Sequence, residues 1–228
     1  MIPTAEQLDE WFKAGAMKRL GMGSRRTCYA IPNTNLCVKC YRSEEEIAEG
    51  LYPGQSPVTP LAATVVREIN KCRFNERRNT SCREYRYWLS LKSRLPAELM
   101  RTFPASMNSL LLPSRGWCVV EELIAHADGS PAQLFADAWR AEDSAAARCR
   151  LLEKFRCLAD GLVRHAVRFF DPQNVLVQRC EDGDVRLRIT DFEPTSRAAV
   201  PLEMLLPLFA RLKLRRRFDR YFRILGVH

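Results

Sequence analysis

Asp171-Pro172-Gln173-Asn174-Val175-Leu176-Val177-Gln178, a turn at Glu181-Asp182-Gly183-Asp184, then Val185-Arg186-Leu187-Arg188-Ile189-Thr190-Asp191-Phe192-Glu193: the reading of this stretch decides the fold. Two β-forming runs flank a cluster of turn formers, which predicts a hairpin. The hairpin returns Asp191 close to Asn174, so a carboxylate and an amide oxygen are expected to face one place. Hard oxygen ligands of that kind hold Mg²⁺ beside phosphates.

Upstream, Leu20-Gly21-Met22-Gly23-Ser24-Arg25-Arg26-Thr27-Cys28-Tyr29-Ala30-Ile31 reads as a strand, a tight turn and a returning strand. Pro32-Asn33-Thr34-Asn35 turns into a further strand that carries Lys39. Residues 5–19 read as a short amphipathic helix, and residues 75–95 as a second helix that carries Glu84. The prolines and glycines of residues 43–64 predict an exposed connector. Gly116 to Leu123 reads as a buried strand. From Ser130 helices dominate, with a strong one from about Ala145 to Arg164. Strands first and helices afterwards predict two lobes, residues 1–123 and 124–228. None of these features is specific alone: glycine turns are common, and a lone lysine most often lies on a surface. Their order carries the information.

That order resembles the protein-kinase-like fold, an α+β architecture with a β-rich N-lobe and here a reduced, mainly helical C-lobe. The resemblance implies Mg·ATP bound between the lobes. Gly21 and Gly23 take the place of the glycine-rich loop and Lys39 that of the phosphate-binding lysine. Glu84 is the chosen helix partner of the lysine, with Glu76 and Glu68 as competitors. Glu121 and Leu123 fall at the hinge beside adenine. Asn174 and Asp191 take the metal-binding places, and Glu193 serves the metal as well, as in the similar Asp-Phe-Glu triplet of the choline-kinase branch. One position departs from the pattern. Phe169 stands five residues before Asn174, where the family carries its catalytic aspartate, and Phe169 cannot accept a proton. Asp171 is the substitute base. Only 35 residues follow Glu193 in this sequence, and no Ala-Pro-Glu segment is recognisable among them. A kinase acting on peptides is therefore not expected.

Arg25-Arg26-Thr27-Cys28-Tyr29-Ala30, Cys37-Val38-Lys39, Arg83-Glu84-Tyr85-Arg86-Tyr87 and Pro172-Gln173-Asn174-Val175-Leu176 resemble a narrower group, the bacterial PhoP regulatory network protein YrbL family. Its members are small, kinase-like and cytoplasmic. The general pattern is also similar to the lipopolysaccharide-core sugar kinases. Three functions stay open on this reading. One is a phosphotransferase acting on a small molecule or an envelope sugar, with an unidentified hydroxyl acceptor. Another is a pseudokinase, a nucleotide-responsive module that meets a protein partner. The third is a scaffold that binds no nucleotide.

Composition trims the alternatives. With 46% hydrophobic and 28% charged residues, the 228-residue chain has ample core material. No apolar run reaches the roughly 18 residues of a membrane span, and the first residues lack the pattern of a signal peptide. Nine cysteines, scattered and odd in number, read as buried thiols of a reducing cytosol. Cys37 and Cys40 form a CxxC, but on a strand they point to opposite faces and make a poor metal site. The net charge is +9, and +6 of it falls between Arg211 and Arg223, where seven basic residues meet one acid. Leucines and aromatics recur there at helical spacing. The plain reading is a docked terminal helix with a solvated basic face. The sharper one is peripheral contact with an anionic surface at the inner membrane. No zinc finger, helix-turn-helix or RNA-binding aromatic pair accompanies the charge, so a nucleic-acid partner is not expected.

Overall fold

The structure is a computed structural model that describes residues 2–23, 25–48, 60–167, 171–192 and 207–227. The chain divides into two compact units. The first comprises Met1–Trp88 and Ser106–Leu123, the second Leu89–Ala105 and Ile124–His228. The segment 89–105, assigned by sequence to the first lobe, thus belongs to the second unit.

The first unit is built on an antiparallel sheet in the order β1-β2-β3-β5-β4. Its strands are β1 (Lys18–Met22), β2 (Arg26–Ala30), β3 (Leu36–Tyr41), β4 (Met107–Leu112) and β5 (Gly116–Glu122). Helix α1 (Ala5–Lys13) is fixed at its start by a capping box between Thr4 and Gln7. It was expected to run to residue 19. It ends instead at Lys13, and Gly15 just beyond, whose φ of +66° suits glycine, turns the chain toward β1. Alternation along β3 then sorts the core. Leu36, Val38 and Cys40 join Leu8 of α1, Tyr29, Cys118 and Val120 in one apolar cluster. Cys37 and Lys39 point to the opposite face.

Helix α2 (Glu44–Ala48) and helix α3 (Pro60–Cys72) occupy the two ends of the stretch expected as a connector, and residues 49–59 between them lie outside the described residues. Pro60 opens α3, where its missing N–H is harmless and its fixed φ suits a helix. Helix α4 (Thr80–Lys92) starts five residues later than the sequence suggested. Asn79 sets that start, its Oδ1 accepting from the amides of Ser81 and Cys82 at 2.8 and 3.3 Å. Its Nδ2 donates to the carbonyls of Cys72, Arg73 and Trp117, which ties α4 to the end of α3 and to β5. Gly116 is obligatory beside them: φ is +75°, and a Cβ there would sit 2.4 Å from the Arg73 carbonyl oxygen.

In the second unit, α5 (Ala97–Met100), α6 (Phe135–Ala141), α7 (Ala145–Arg164) and α8 (Pro207–Ile224) accompany a sheet in the order β6-β7-β8. Its strands are β6 (Gln133–Leu134), β7 (Val175–Arg179) and β8 (Val185–Ile189). The predicted hairpin is therefore present, and α7 has the predicted limits. Phe155 of α7 lies at the centre of an aromatic cluster with Phe135, Phe218, Tyr221 and Phe222, which docks α8 on α7. Helices and antiparallel sheet together make a mixed α+β chain, compatible with a two-lobed kinase-like fold. Among the described residues no helix is long and apolar enough to cross a membrane.

Candidate functional site

One face of the first unit's sheet concentrates charge. Cross-strand register places Cys28 opposite Lys39, and Cys37 opposite Glu121. Arg26, Cys28, Cys37, Lys39 and Glu121 therefore share the face that α4 covers. Lys39 Nζ lies 2.6 Å from Glu121 Oε1 and 3.9 Å from Glu84 Oε1, and Arg26 NH1 lies 2.6 Å from Glu84 Oε2. Two cations and two carboxylates alternate in a buried chain. Glu84 is fully buried and Glu121 nearly so. Such burial is tolerable because each charge has an opposite neighbour within hydrogen-bond or near-contact distance. Burial still pushes the Glu121 carboxyl upward, against the pull of Lys39. A hydrogen bond from the Cys37 thiol lowers the pKa of Cys28, with Lys39 and Arg26 adding to the effect.

The sequence-selected residues fall into this geometry unevenly. Of the three glutamates proposed for the lysine, Glu84 lies 3.9 Å from Lys39. Glu76 is exposed and lends its backbone carbonyl to Arg86. Glu121 was expected beside adenine. Its backbone lies in the middle of the sheet, paired with Cys37 and with Met107, and its carboxylate goes to Lys39. Leu123 donates its amide to the Asn35 carbonyl at 2.8 Å. Gly21 sits on β1 beside a register shift, and Gly23 donates its amide to Arg26 across the turn. A Cβ at Gly21 would meet nothing within 4 Å, and one at Gly23 only the Arg26 carbonyl oxygen at 3.5 Å. Neither glycine is demanded by its own packing.

The second unit holds the other group. Asp171 caps the short 3₁₀ turn Pro172–Asn174, its Oδ1 accepting from the Gln173 amide at 3.2 Å. Asn174 donates its backbone amide to the Asp171 carbonyl and its Nδ2 to the Asp191 carbonyl at 3.0 Å. The amide of Thr190 closes the hairpin onto the Asn174 carbonyl. Asp191 is exposed and held at φ +51°, an uncommon conformation for a residue with a side chain. Phe192 beside it is buried, edge-on to Phe103 with centroids 5.2 Å apart. The loop is thus anchored by an aromatic and by backbone bonds, with polar side chains of Asp171, Asn174 and Asp191 at its surface. Phe169 and Glu193 lie outside the described residues.

A family model described as PhoP regulatory network protein YrbL matches residues 16–226, nearly the whole chain. The chain belongs to the YrbL family. No curated protein matches it. The span matched to the YrbL family includes the Lys39 strand, the Glu84 helix and the Asn174 loop.

Sequence reasoning missed three members of these networks. Nothing in its local sequence sets Arg26 apart from the neighbouring arginine, and the resemblance assigns Glu121 to adenine instead of to the lysine. Glu46 fell in the supposed connector, yet it is buried, bonded by Arg115 at 2.8 Å and by the Tyr29 hydroxyl. The signal that could have found Glu121 is register. Once β3 and β5 are paired, the diagonal from Lys39 reaches Glu121 on the same face. Among the described residues no cluster of His, Cys, Asp and Glu suits a metal held by protein alone, and all nine cysteines are free.

Proposed function

We propose that this YrbL-family protein is a Mg·nucleotide-responsive regulatory module, a kinase-like chain that binds ATP. The observation that carries the reading is Lys39, a buried lysine on a central strand, held by a helix carboxylate at 3.9 Å and a sheet carboxylate at 2.6 Å. Keeping an ammonium group in a sheet core is costly, and a phosphate-binding role explains why one is kept. The loop of the second unit supplies the oxygens that a metal needs. With Asn174 Nδ2 committed to the Asp191 carbonyl, its Oδ1 is the atom suited to a cation, and Asp191 brings a carboxylate. These two residues would hold Mg²⁺, which neutralises phosphate charge. Glu193 is the third proposed ligand.

Within this reading Lys39 exchanges Glu121 for phosphate oxygens, while Glu84 and Arg26 keep the lysine aligned. Glu121, left in a buried site, then takes up a proton, as burial already favours.

A second reading, phosphoryl transfer to a hydroxyl acceptor, is favoured by Asp171. This carboxylate stands on the Asn174 loop, half-buried, three residues from the proposed metal ligand. Phosphoryl transfer rests mainly on positioning and charge neutralisation, so Asp171 would need only to accept the acceptor's proton. Its place as a cap for the Gln173 amide and the Phe169 substitution are the reasons that the binding reading comes first.

Thermal unfolding with and without Mg·ATP tests the proposal. A ligand at a hundred times its dissociation constant stabilises by about 2.7 kcal/mol. Wild type should show that gain, while Lys39→Ala and Asp191→Ala should lose it. No shift in the wild type at millimolar nucleotide removes both readings. If nucleotide binds, transfer of label from ATP to an envelope extract that is lost in Asp171→Asn selects the enzyme.

A further inference from the structure

The C-terminal helix α8 has two faces that do different work. Ala210, Leu214, Phe218 and Tyr221 recur at steps of three and four and are buried on the second unit. The opposite face begins with Leu208, Phe209 and Leu212, which are 63, 46 and 46% exposed. Continuing the same stripe by helical steps gives Arg216, Arg220 and Arg223, all exposed, with Lys213 and Arg215 at its margins. One acid, Asp219, interrupts it. Beside it on α7, Arg156 lies over the Phe222 ring at 5.9 Å, and Arg211 donates to the Arg164 carbonyl. Glu153 and Asp160 are the exposed acids of α7.

We infer that this face of α8 is a peripheral docking surface for anionic phospholipid. Two separate features meet on it. Large apolar side chains open the helix on the side turned from the core, where packing among the described residues gives no reason for them, and guanidinium groups follow on the same stripe. An interfacial helix needs that combination: an apolar end that enters the headgroup–acyl boundary and a basic run that lies on acidic headgroups. Nucleic acid accounts for the charge alone, since phosphate contacts require no exposed leucines or phenylalanine. The helix does not span the bilayer. The inference is independent of nucleotide binding.

Co-sedimentation of the full-length protein with vesicles tests it. Vesicles of phosphatidylcholine mixed with phosphatidylglycerol should retain the protein at low salt, and phosphatidylcholine alone should not. Arg216→Glu/Arg220→Glu/Arg223→Glu should lower partitioning by about a hundredfold or more, from the typical contribution of each basic residue near an acidic surface. Phe209→Ser/Leu212→Ser should lower it by roughly tenfold or more, as loss of buried apolar area requires. The substituted residues are exposed, so each variant should melt at the wild-type temperature. Three results would overturn the inference: no retention on acidic vesicles at low salt, equal retention on neutral ones, or wild-type retention by the Phe209/Leu212 variant together with release of the protein from vesicles by duplex DNA.

Discussion

The two groups of candidate residues solve opposite physical problems. In the first unit, Arg26, Glu84, Lys39 and Glu121 are buried between a sheet and a helix, and each has an opposite charge beside it. In the second, Asp171, Asn174 and Asp191 stand on a loop at the surface, where Asp171 accepts from the Gln173 amide and Asn174 donates to the Asp191 carbonyl. Burial makes the first group stiff and energetically consequential. Exposure leaves the second cheap to alter in stability, so that an effect there reports on ligand more directly. The contrast can be tested by substitution.

Glu84→Ala should have the largest effect. It leaves the Arg26 guanidinium and the Lys39 ammonium in the core without their shared carboxylate. Removing one partner of a buried ion pair costs about 3–5 kcal/mol, which chemical denaturation should show as a large fall in the midpoint. Glu84→Gln, which keeps the hydrogen-bonding shape, should recover part of the loss. A cost below about 1 kcal/mol for the alanine variant would mean that water reaches the cluster.

Glu121→Gln should act on pH dependence more than on stability at one pH. Burial raises the folded-state pKa of Glu121 above its ordinary value of 4.5. Between 4.5 and the raised value the folded protein holds a proton that the unfolded chain has released. Stability therefore falls as pH rises through that window. Substitution by glutamine should remove this slope. It should also tighten Mg·ATP binding, because Lys39 no longer has to leave a carboxylate. Unchanged slope and unchanged affinity would separate Glu121 from the lysine's function.

Much of the first unit was legible. The glycine turn, the Lys39 strand and the opposite facing of Cys37 and Cys40 all follow from local spacing, and Cys40 does join the apolar cluster while Cys37 lies beside Cys28. In the second unit the 174–191 hairpin and α7 were equally plain. What failed was non-local or ambiguous. Met107–Leu112 lacks the alternation of a half-buried strand, and it forms β4 because β5 offers it an edge. Pro60 reads as a breaker by composition, yet proline also begins helices, as it does in α3. Asn79 carries no local signal, because its task, five hydrogen bonds joining three elements, exists only after folding. The same is true of Glu121, whose meeting with Lys39 depends on which strands pair.

On the exposed side, Asn174→Ala should be mild. It removes one side-chain hydrogen bond, to the Asp191 carbonyl at 3.0 Å. A bond of this kind contributes about 1 kcal/mol, so the melting temperature of the free protein should move little. If Asn174 holds metal, the Mg·ATP-induced stabilisation should vanish in the same variant. A large loss of stability with ligand response intact would make Asn174 a structural residue and withdraw it from the metal site.

Smallest of all should be Lys154→Ala. Lys154 Nζ lies 2.8 Å from Asp184 Oδ1, close to the 2.6 Å separating Lys39 from Glu121. By distance alone the two pairs look alike. The side chains of Lys154 and Asp184 are, however, 41 and 53% exposed, against 10 and 2% for Lys39 and Glu121. Water screens the exposed pair and solvates whichever partner is left alone, so the loss should stay within about 0.5 kcal/mol and shrink further with added salt. The Lys39 pair has no such recourse, since a lone carboxylate there must either stay charged in the core or take up a proton. Denaturant titrations of Lys154→Ala and Lys39→Ala at two salt concentrations make the comparison direct. Equal losses in the two variants would show that geometry, and not burial, sets the energy of these ion pairs, and the burial of Lys39 would then cost too little to call for a function.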